Sequence, residues 1–125
     1  VEDIMLTGNK IPFVEHNITM QNALDIISKK GLGVLFVKKN KFTIGILTDG
    51  DIKRISQKNF NFQKLKINSV MKKNPISIEK DTLAAKALEI MNTNRITSLC
   101  VHSGKRKNIT IGVIHIHNIL NANIS

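Results

Sequence analysis

The chain has 125 residues, 42% of them apolar, and a formal net charge of +10 at pH 7. This composition predicts a folded globular protein, and no apolar run is long enough to cross a bilayer, which argues against a membrane protein. The single cysteine, Cys100, cannot form an intramolecular disulfide, and no charged and then apolar leader precedes the fold, so we expect a cytoplasmic location.

The first predicted helix covers residues 20–27. Four apolar residues there recur at the i, i+3, i+4, i+7 spacing of one helix face: Met20, Ala23, Leu24 and Ile27. Gly31 follows, where the helix should end. Residues 34–37 and 43–47 are apolar and β-branched enough to form a buried hairpin. A short second helix should follow this hairpin.

The same order of elements recurs in the second half of the chain. The helix stripe returns as Ala84, Ala87, Leu88 and Met91. A hairpin of residues 97–101 and 109–114 and another short helix are predicted after it. Asn17 and Asp81 stand just upstream of the two stripes, where a side-chain oxygen can cap each helix. Each repeat therefore has the predicted order β-α-β-β-α.

A tandem duplication of this size predicts an α/β (α+β) fold made of two similar half-domains. We assign repeat 1 to residues 1–62 and repeat 2 to residues 63–125. The two are expected to be related by a pseudo-twofold axis and packed through their sheets, with related clefts at the seam. Function should be sought in those clefts.

The basic charge invites a nucleic-acid interpretation, because clustered Lys and Arg attract phosphate. Its distribution favours solvated turns instead: Lys38, Lys39 and Lys41 fall in one predicted turn, and residues 105–107 fall in the equivalent turn of repeat 2. Trp and Tyr, on which single-stranded bases could stack, do not occur. We therefore expect no nucleic-acid partner, and a basic nucleic-acid-binding domain stays as an alternative.

The strongest candidate for a ligand site lies where the first hairpin ends and a helix begins. Its residues are Thr48, Asp49, Gly50, Asp51, Lys53 and Arg54. Free backbone N–H groups and the helix dipole favour an anion at such a point. Thr48 can donate its hydroxyl to a phosphate, Gly50 allows close approach, and Asp51 can accept hydrogen bonds from a ribose diol. Lys53 and Arg54 add positive charge.

A purely structural interpretation of the same residues remains open. Thr48 and Asp51 have the spacing of a capping box, with Asp in place of the usual Glu or Gln. In repeat 2 the corresponding positions are His115 and Asn118, so a hydroxyl becomes an imidazole and a carboxylate becomes an amide. His115 and His117 could meet an acidic group, and a structural role for both is the alternative.

A metal site is not expected, although Cys100, His102, His115 and His117 are suitable ligand types. A hairpin turn centred near Arg106 would place His102 opposite Ile109 and Cys100 opposite Ile111. His115 would then lie further along the sheet. The four side chains should not converge.

The pattern Gly45-Ile46-Leu47-Thr48-Asp49-Gly50-Asp51-Ile52 inside a duplicated β-α-β-β-α unit resembles the CBS domain. Paired CBS domains form a Bateman module, which commonly binds nucleotides. The resemblance covers the whole chain. It implies that Thr48 and Asp51 contact phosphate and ribose, while apolar walls around Ile11 and Leu32 hold a base.

Further segments make the chain similar to the C-terminal CBS pair of bacterial arabinose 5-phosphate isomerases. They are residues 3–8, 30–33, 70–71, 74–75, 94–97, which include Arg95, and 112–117 with its His-Ile-His sequence. The resemblance implies that Arg95 belongs to the ligand site and that catalysis resides in an N-terminal sugar-isomerase domain absent from this chain. Asn118 departs from the Asp expected there.

The resemblance thus implies a non-catalytic regulatory and oligomerising module, a dimer or higher, without a cofactor. The expected effector is a nucleotide or a nucleotide-sugar, with CMP-Kdo, the activated end product of the Kdo pathway, and AMP as the two candidates. A purely structural assembly module without a ligand is the alternative.

Overall fold

The computed structural model describes residues 1–123, and the chain divides into two compact units. The repeat-1 unit spans Pro12–Pro75, and the repeat-2 unit joins Val1–Ile11 to the chain from Ile76 onward. The first eleven residues thus pack with the second repeat, whereas the predicted boundary at residues 62 and 63 follows sequence order. That boundary between the sequence repeats stays a prediction.

The repeat-1 unit contains a four-stranded sheet and two helices. Its elements are β1 (Phe13–Glu15), α1 (Met20–Lys30), β2 (Val34–Lys39), β3 (Phe42–Thr48), α2 (Asp49–Lys58) and β4 (Lys72–Lys73). The sheet has the order β1-β2-β3-β4, in which β1 runs parallel to β2 and the other neighbours are antiparallel. Two short 3₁₀ turns lie between α2 and β4.

The predicted apolar stripe of α1 is confirmed at three of its four positions, and the fourth, Leu24, is half-buried. Met20, Ala23 and Ile27 are buried, and they share a core with Leu35 and Leu47 of the sheet. Burial of such a stripe against a sheet is the main source of stability for a helix of this length. Gly31 ends α1 in the left-handed conformation (φ 71°), where its N–H donates to the carbonyl of Ile27.

The repeat-2 unit repeats this arrangement with a three-stranded sheet. Its elements are β5 (Ser77–Glu79), α3 (Ala84–Asn94), β6 (Ser98–His102), β7 (Gly112–His115) and α4 (Ile116–Asn123). The sheet order is β5-β6-β7, with β5 parallel to β6 and β6 antiparallel to β7. Ala87 and Met91 of α3 are buried with Leu99 and Ile114. The α/β class and the two β-α-β-β-α repeats are therefore confirmed.

A segment outside each repeat's own hairpin packs on that repeat's last strand. In the repeat-1 unit β4 pairs with β3, and a Cβ added at Gly45 would lie 2.8 Å from Met71 Cγ and closer still to its Sδ. In the repeat-2 unit Leu6 bridges Val113, and Met5 fills the same space over Gly112. Each glycine therefore leaves space for a methionine side chain that would collide with the Cβ of any other residue at that position.

Two details predicted from the sequence are wrong. The N-cap of α1 is Thr19, whose Oγ1 accepts from the Asn22 N–H at 3.3 Å, and not Asn17; α3 begins after Leu83 with no side-chain cap from Asp81. A side-chain cap comes from the residue directly before the helix, and these positions are held by Thr19 and Leu83 rather than by Asn17 and Asp81.

The predicted register of the second hairpin is also wrong. Cys100 lies opposite Val113 rather than Ile111, and His102 lies at the end of β6, beyond the last paired residue. Residues 103–111 form a loop with its own backbone hydrogen bonds, such as that from Ile109 N–H to the Arg106 carbonyl. The pairing is thus shifted by two residues from the predicted one, and an even shift does not exchange the two faces of a strand. Among the described residues, no helix is long and apolar enough to cross a membrane.

Candidate functional site

The start of α2 brings together the residues predicted from the sequence. β3 ends at Thr48, and the Asp49 N–H donates to the Gly33 carbonyl at 3.0 Å, which fixes the turn between the two elements. The Asp51 N–H donates to Thr48 Oγ1 at 3.2 Å, and the Thr48 N–H donates to Asp51 Oδ2 at 3.0 Å. Both bonds of the capping box are thus present.

The carboxylate of Asp51 is the electrostatic centre of this site. Its side chain is 6% exposed, Lys72 Nζ lies 3.3 Å from its Oδ1, and Arg54 Nη2 contacts the same oxygen. Burial raises the pKa of this carboxyl, but hydrogen bonds from the backbone and hydroxyl of Thr48, and the charge of Lys72, outweigh burial and lower the pKa below its usual value. Asp51 is therefore ionised at neutral pH.

The remaining residues of the repeat-1 site lie on an open turn. Thr48 is half-buried, whereas Asp49, Gly50, Lys53 and Arg54 are exposed. A Cβ at Gly50 would lie 3.5 Å from Arg54 Nη1, so the guanidinium already borders the first turn of α2. Leu32, half-buried between α1 and β2, belongs to the same unit. Ile11, the other predicted apolar wall, is buried and belongs to the repeat-2 unit.

In repeat 2 the start of α4 has a related but different cap. The His115 N–H donates to Asn118 Oδ1 at 2.8 Å, in the place of the bond from Thr48 to Asp51. His115 Nδ1 accepts from the His117 N–H at 3.1 Å, and the two rings lie 4.8 Å apart. This bond places the proton of neutral His115 on Nε2. The amide and imidazole therefore reproduce the cap without any charged group.

Arg95 has a position that local backbone geometry explains. It ends α3 in the left-handed conformation (φ 55°), as Gly31 ends α1, and its side chain is exposed. Its predicted place in a ligand site stays a prediction.

The four residues weighed as metal ligands have other partners or surroundings. His102 Nδ1 lies 2.6 Å from Ser77 Oγ, and its Nε2 lies 3.9 Å from Glu79. Burial raises the pKa of Cys100 to about 12, opposed by a hydrogen bond with Thr110, so its thiol stays protonated. Among residues 1–123 there is no group of three or more His, Cys, Asp or Glu side chains that could hold a metal ion.

One further hollow lies in the repeat-2 unit. The ordered loop of the second hairpin forms the walls of an open groove with a volume of about 490 Å³. The groove is lined by Ser103, Gly104, Lys105, Arg106, Ile109 and Ile111. The sequence assigned these basic residues to a solvated turn, and they are indeed exposed.

Comparison with known proteins decides the family. The family model of the CBS domain matches the chain twice, over residues 1–58 and 67–125. The chain belongs to the CBS domain family. CBS domains are regulatory rather than catalytic modules, so the expectation of a non-catalytic pair is confirmed by this match.

Curated relatives extend the match. Arabinose 5-phosphate isomerase KdsD of Francisella tularensis is 40% identical over 121 residues, which are 96% of this chain and 36% of that protein. The KdsD of Escherichia coli strain K12 is 34% identical over 125 residues, 99% of this chain and 37% of that protein. This CBS pair therefore spans little more than a third of these relatives, and its resemblance to their CBS part is confirmed.

Solved structures show the same fold. CBSX2 in complex with AMP matches with a TM-score of 0.84 and 18% identity, covering 98% of this chain and 94% of that one. The CBS-pair protein CBSX2 from Arabidopsis thaliana matches with a TM-score of 0.80 and 18% identity, covering 99% and 93%. At this identity the likeness shows the CBS-pair fold alone.

Lys72 was not predicted from the sequence as a charged neighbour of Asp51. It reaches Asp51 because β4 pairs with β3 and places Lys72 opposite Ile46. A signal was present: Val70-Met71 repeats the Ile4-Met5 pair, which places Lys72 and Leu6 at matching positions. Gly33 was not among the predicted site residues either, although its carbonyl accepts from the Asp49 N–H at the start of α2.

Proposed function

We propose that this CBS pair is the regulatory module of an arabinose 5-phosphate isomerase and senses a phosphorylated, nucleotide-type effector at the repeat-1 site. The observation that carries the proposal is the open first turn of α2, where Thr48 and Gly50 lie beside Arg54 and Lys72. It occurs in a chain 34% to 40% identical to the isomerases along nearly its whole length.

The chemistry of this turn suits a ligand with a phosphate and a vicinal diol. Thr48 offers its hydroxyl hydrogen, the N-terminus of α2 offers the positive end of the helix dipole, and the two cations Arg54 and Lys72 stand beside it. Asp51 offers a carboxylate for the diol. Each charge-assisted hydrogen bond of this kind contributes roughly 1.5 to 3 kcal/mol. Micromolar affinity is therefore within reach of a few such contacts.

Two effectors fit this description. CMP-Kdo carries a phosphate, a ribose diol and a carboxylate, and an activated end product is a natural inhibitor of an early isomerase. AMP carries a phosphate and a ribose diol, and the structurally similar CBSX2 has been crystallised with it. The basic net charge of +10 favours either anion.

The rest of the proposed protein follows from the relatives. Most of each KdsD lies outside the matched stretch, and we propose that a sugar-isomerase domain adjoins this pair in the same protein. Self-association through the CBS pair, as a dimer or a larger assembly, would then hold the isomerase domains in fixed positions. A cytoplasmic location is part of the same proposal.

Differential scanning calorimetry of the chain against CMP, CMP-Kdo, AMP, ATP and arabinose 5-phosphate tests the effector proposal. A ligand at one hundred times its Kd should stabilise the fold by about 2.7 kcal/mol and raise Tm by several degrees. In Asp51→Asn, with binding weakened about ten- to a hundredfold, the same ligand concentration should stabilise the fold by only about 0.4 to 1.4 kcal/mol. Arg106→Gln, a matched removal of one positive charge from the second hairpin loop, should keep the wild-type response.

The contrary outcome favours the second candidate function. The capping box already engages both Thr48 and Asp51, which is what a purely structural assembly module needs. Unchanged melting across the panel, with an oligomer of the same size in wild type and Asp51→Asn by light scattering, would leave assembly as the function.

A further inference from the structure

Three donors already occupy most of the roughly four acceptor sites of the Asp51 carboxylate. Oδ2 accepts from the Thr48 N–H at 3.0 Å, while Oδ1 faces Lys72 Nζ at 3.3 Å and also contacts Arg54. The side chain is 6% exposed, so there is little room for an additional donor. A sugar diol can therefore reach this carboxylate only if at least one cation moves away.

Repeat 2 provides an internal comparison for this group of charges. Measured from the end of the last strand, Asn118 stands at the position of Asp51, Asn121 at that of Arg54, and Leu6 at that of Lys72. The carboxylate and both of its cations are thus replaced together by uncharged residues. Asn118 nevertheless forms the corresponding hydrogen bond, because its Oδ1 accepts from the N–H of His115, the last residue of β7, at 2.8 Å.

This comparison separates the cap from the charges. Because an amide and an imidazole complete the cap in repeat 2, the cap does not require a carboxylate with two cations. The charges of repeat 1 therefore need another explanation. A carboxylate for a diol and two cations for a phosphate is a set of groups that one ligand would use together.

We propose, building on the function proposed above, that Arg54 and Lys72 leave Asp51 to bind the phosphate of the effector, and that this exchange occurs in repeat 1 alone. The phosphate replaces the carboxylate as the partner of both cations, and the diol hydroxyls replace the cations as donors to Asp51. After the exchange the phosphate is paired with both cations, and the carboxylate of Asp51 keeps hydrogen bonds from the Thr48 N–H and the diol hydroxyls. Each chain binds one phosphorylated ligand, and repeat 2 binds none.

The geometry makes this exchange easy. The side chains of Arg54 and Lys72 are 58% and 67% exposed, so both can turn towards a ligand without disturbing the core. Arg54 Nη1 already lies 3.5 Å from the Cβ position of Gly50, on the open turn. A phosphate dianion is a stronger partner for two cations than a single carboxylate is.

Isothermal titration calorimetry with CMP and AMP, each beside its nucleoside cytidine or adenosine, tests the exchange. Lys72→Gln should weaken the monophosphate about tenfold and change the affinity of the nucleoside less than about twofold. Lys73→Gln is the matched control, because Lys73 is the adjacent exposed residue of β4. It should alter neither affinity. The stoichiometry should be one ligand per chain.

The outcomes distinguish the exchange from the effector proposal on which it rests. Wild type that binds neither nucleotide nor nucleoside removes both proposals. Wild type that binds normally, with Lys72→Gln unchanged or equally weakened for nucleotide and nucleoside, leaves effector sensing intact and overturns the exchange. If Lys72→Gln binds both nucleotide and nucleoside more tightly than wild type does, Lys72 only blocks access to Asp51, and the exchange is overturned. Two ligands per chain would contradict the restriction to repeat 1. Arg54→Gln should behave as Lys72→Gln does.

Discussion

Asp51→Asn separates the structural role of this residue from its role in binding. The substitution keeps the size of the side chain and keeps an oxygen that can accept the Thr48 N–H, as Asn118 accepts that of His115 at 2.8 Å. What it removes is the negative charge that faces Arg54 and Lys72. The cap should survive and the ion pairs should not.

The expected loss of stability is small. Both cationic side chains are more than half exposed, and ion pairs of this kind contribute about 0.2 to 1 kcal/mol each. Removal of a buried charge offsets part of that, so we expect the free energy of unfolding to fall by about 1 kcal/mol or less. Asp51→Ala also removes the bond from Thr48 and should lose about 1 kcal/mol more.

The expected loss of binding is large by comparison. A charge-assisted hydrogen bond to a diol contributes roughly 1.5 to 3 kcal/mol, so Asp51→Asn should weaken nucleotide binding about ten- to a hundredfold. Unfolding in urea followed by circular dichroism gives the stability, since the chain has no Trp or Tyr for fluorescence. Calorimetric titration gives the affinity. Asp51→Asn as unstable as Asp51→Ala, or with wild-type affinity for nucleotides, would refute the reasoning.

Four further outcomes can be checked. Because folding lowers the pKa of Asp51, its charge stabilises the fold above about pH 4, and that contribution is lost as pH falls through the folded pKa. The difference in free energy of unfolding between wild type and Asp51→Asn should therefore shrink between about pH 7 and about pH 3. A constant difference in urea titrations would contradict this. With a pKa of about 12, the buried thiol of Cys100 should react with a disulfide reagent at pH 8 only as the protein opens, so rapid labelling in native buffer would contradict its burial. Gly45→Ala should cost about 1 to 3 kcal/mol through collision with Met71, and less in a Met71→Ala background; equal losses in urea denaturation would argue against the collision. Arg95→Gly should raise the free energy of unfolding by about 0.5 kcal/mol, because glycine adopts the left-handed conformation without strain, and a lower Tm would count against this.

Local periodicity was sufficient to predict the helices and most strands. A side chain that faces the core must recur every three or four residues in a helix, so Met20, Ala23 and Ile27 identified α1 and its buried face. The capping-box spacing of Thr48 and Asp51 was equally local and is present in the structure. Such features depend on residues within one turn of each other.

The missed features depend on residues far apart in sequence. The two-residue shift of the second hairpin follows from the conformation of the loop over residues 103–111, which composition does not fix. Leu6 pairs with Val113, and Lys72 reaches Asp51, through strand contacts that no local pattern reports. The charges around Asp51 could therefore not be counted from the sequence alone.

An NMR titration of ¹⁵N-labelled chain with CMP or AMP tests the central claim most directly. We predict that the amide signals of Gly50 and Asp51 shift and saturate at one ligand per chain, while those of His117 and Asn118 stay in place. Shifts confined to His117 and Asn118, shifts confined to the groove near Arg106, or unchanged spectra at millimolar nucleotide would contradict effector sensing at the start of α2.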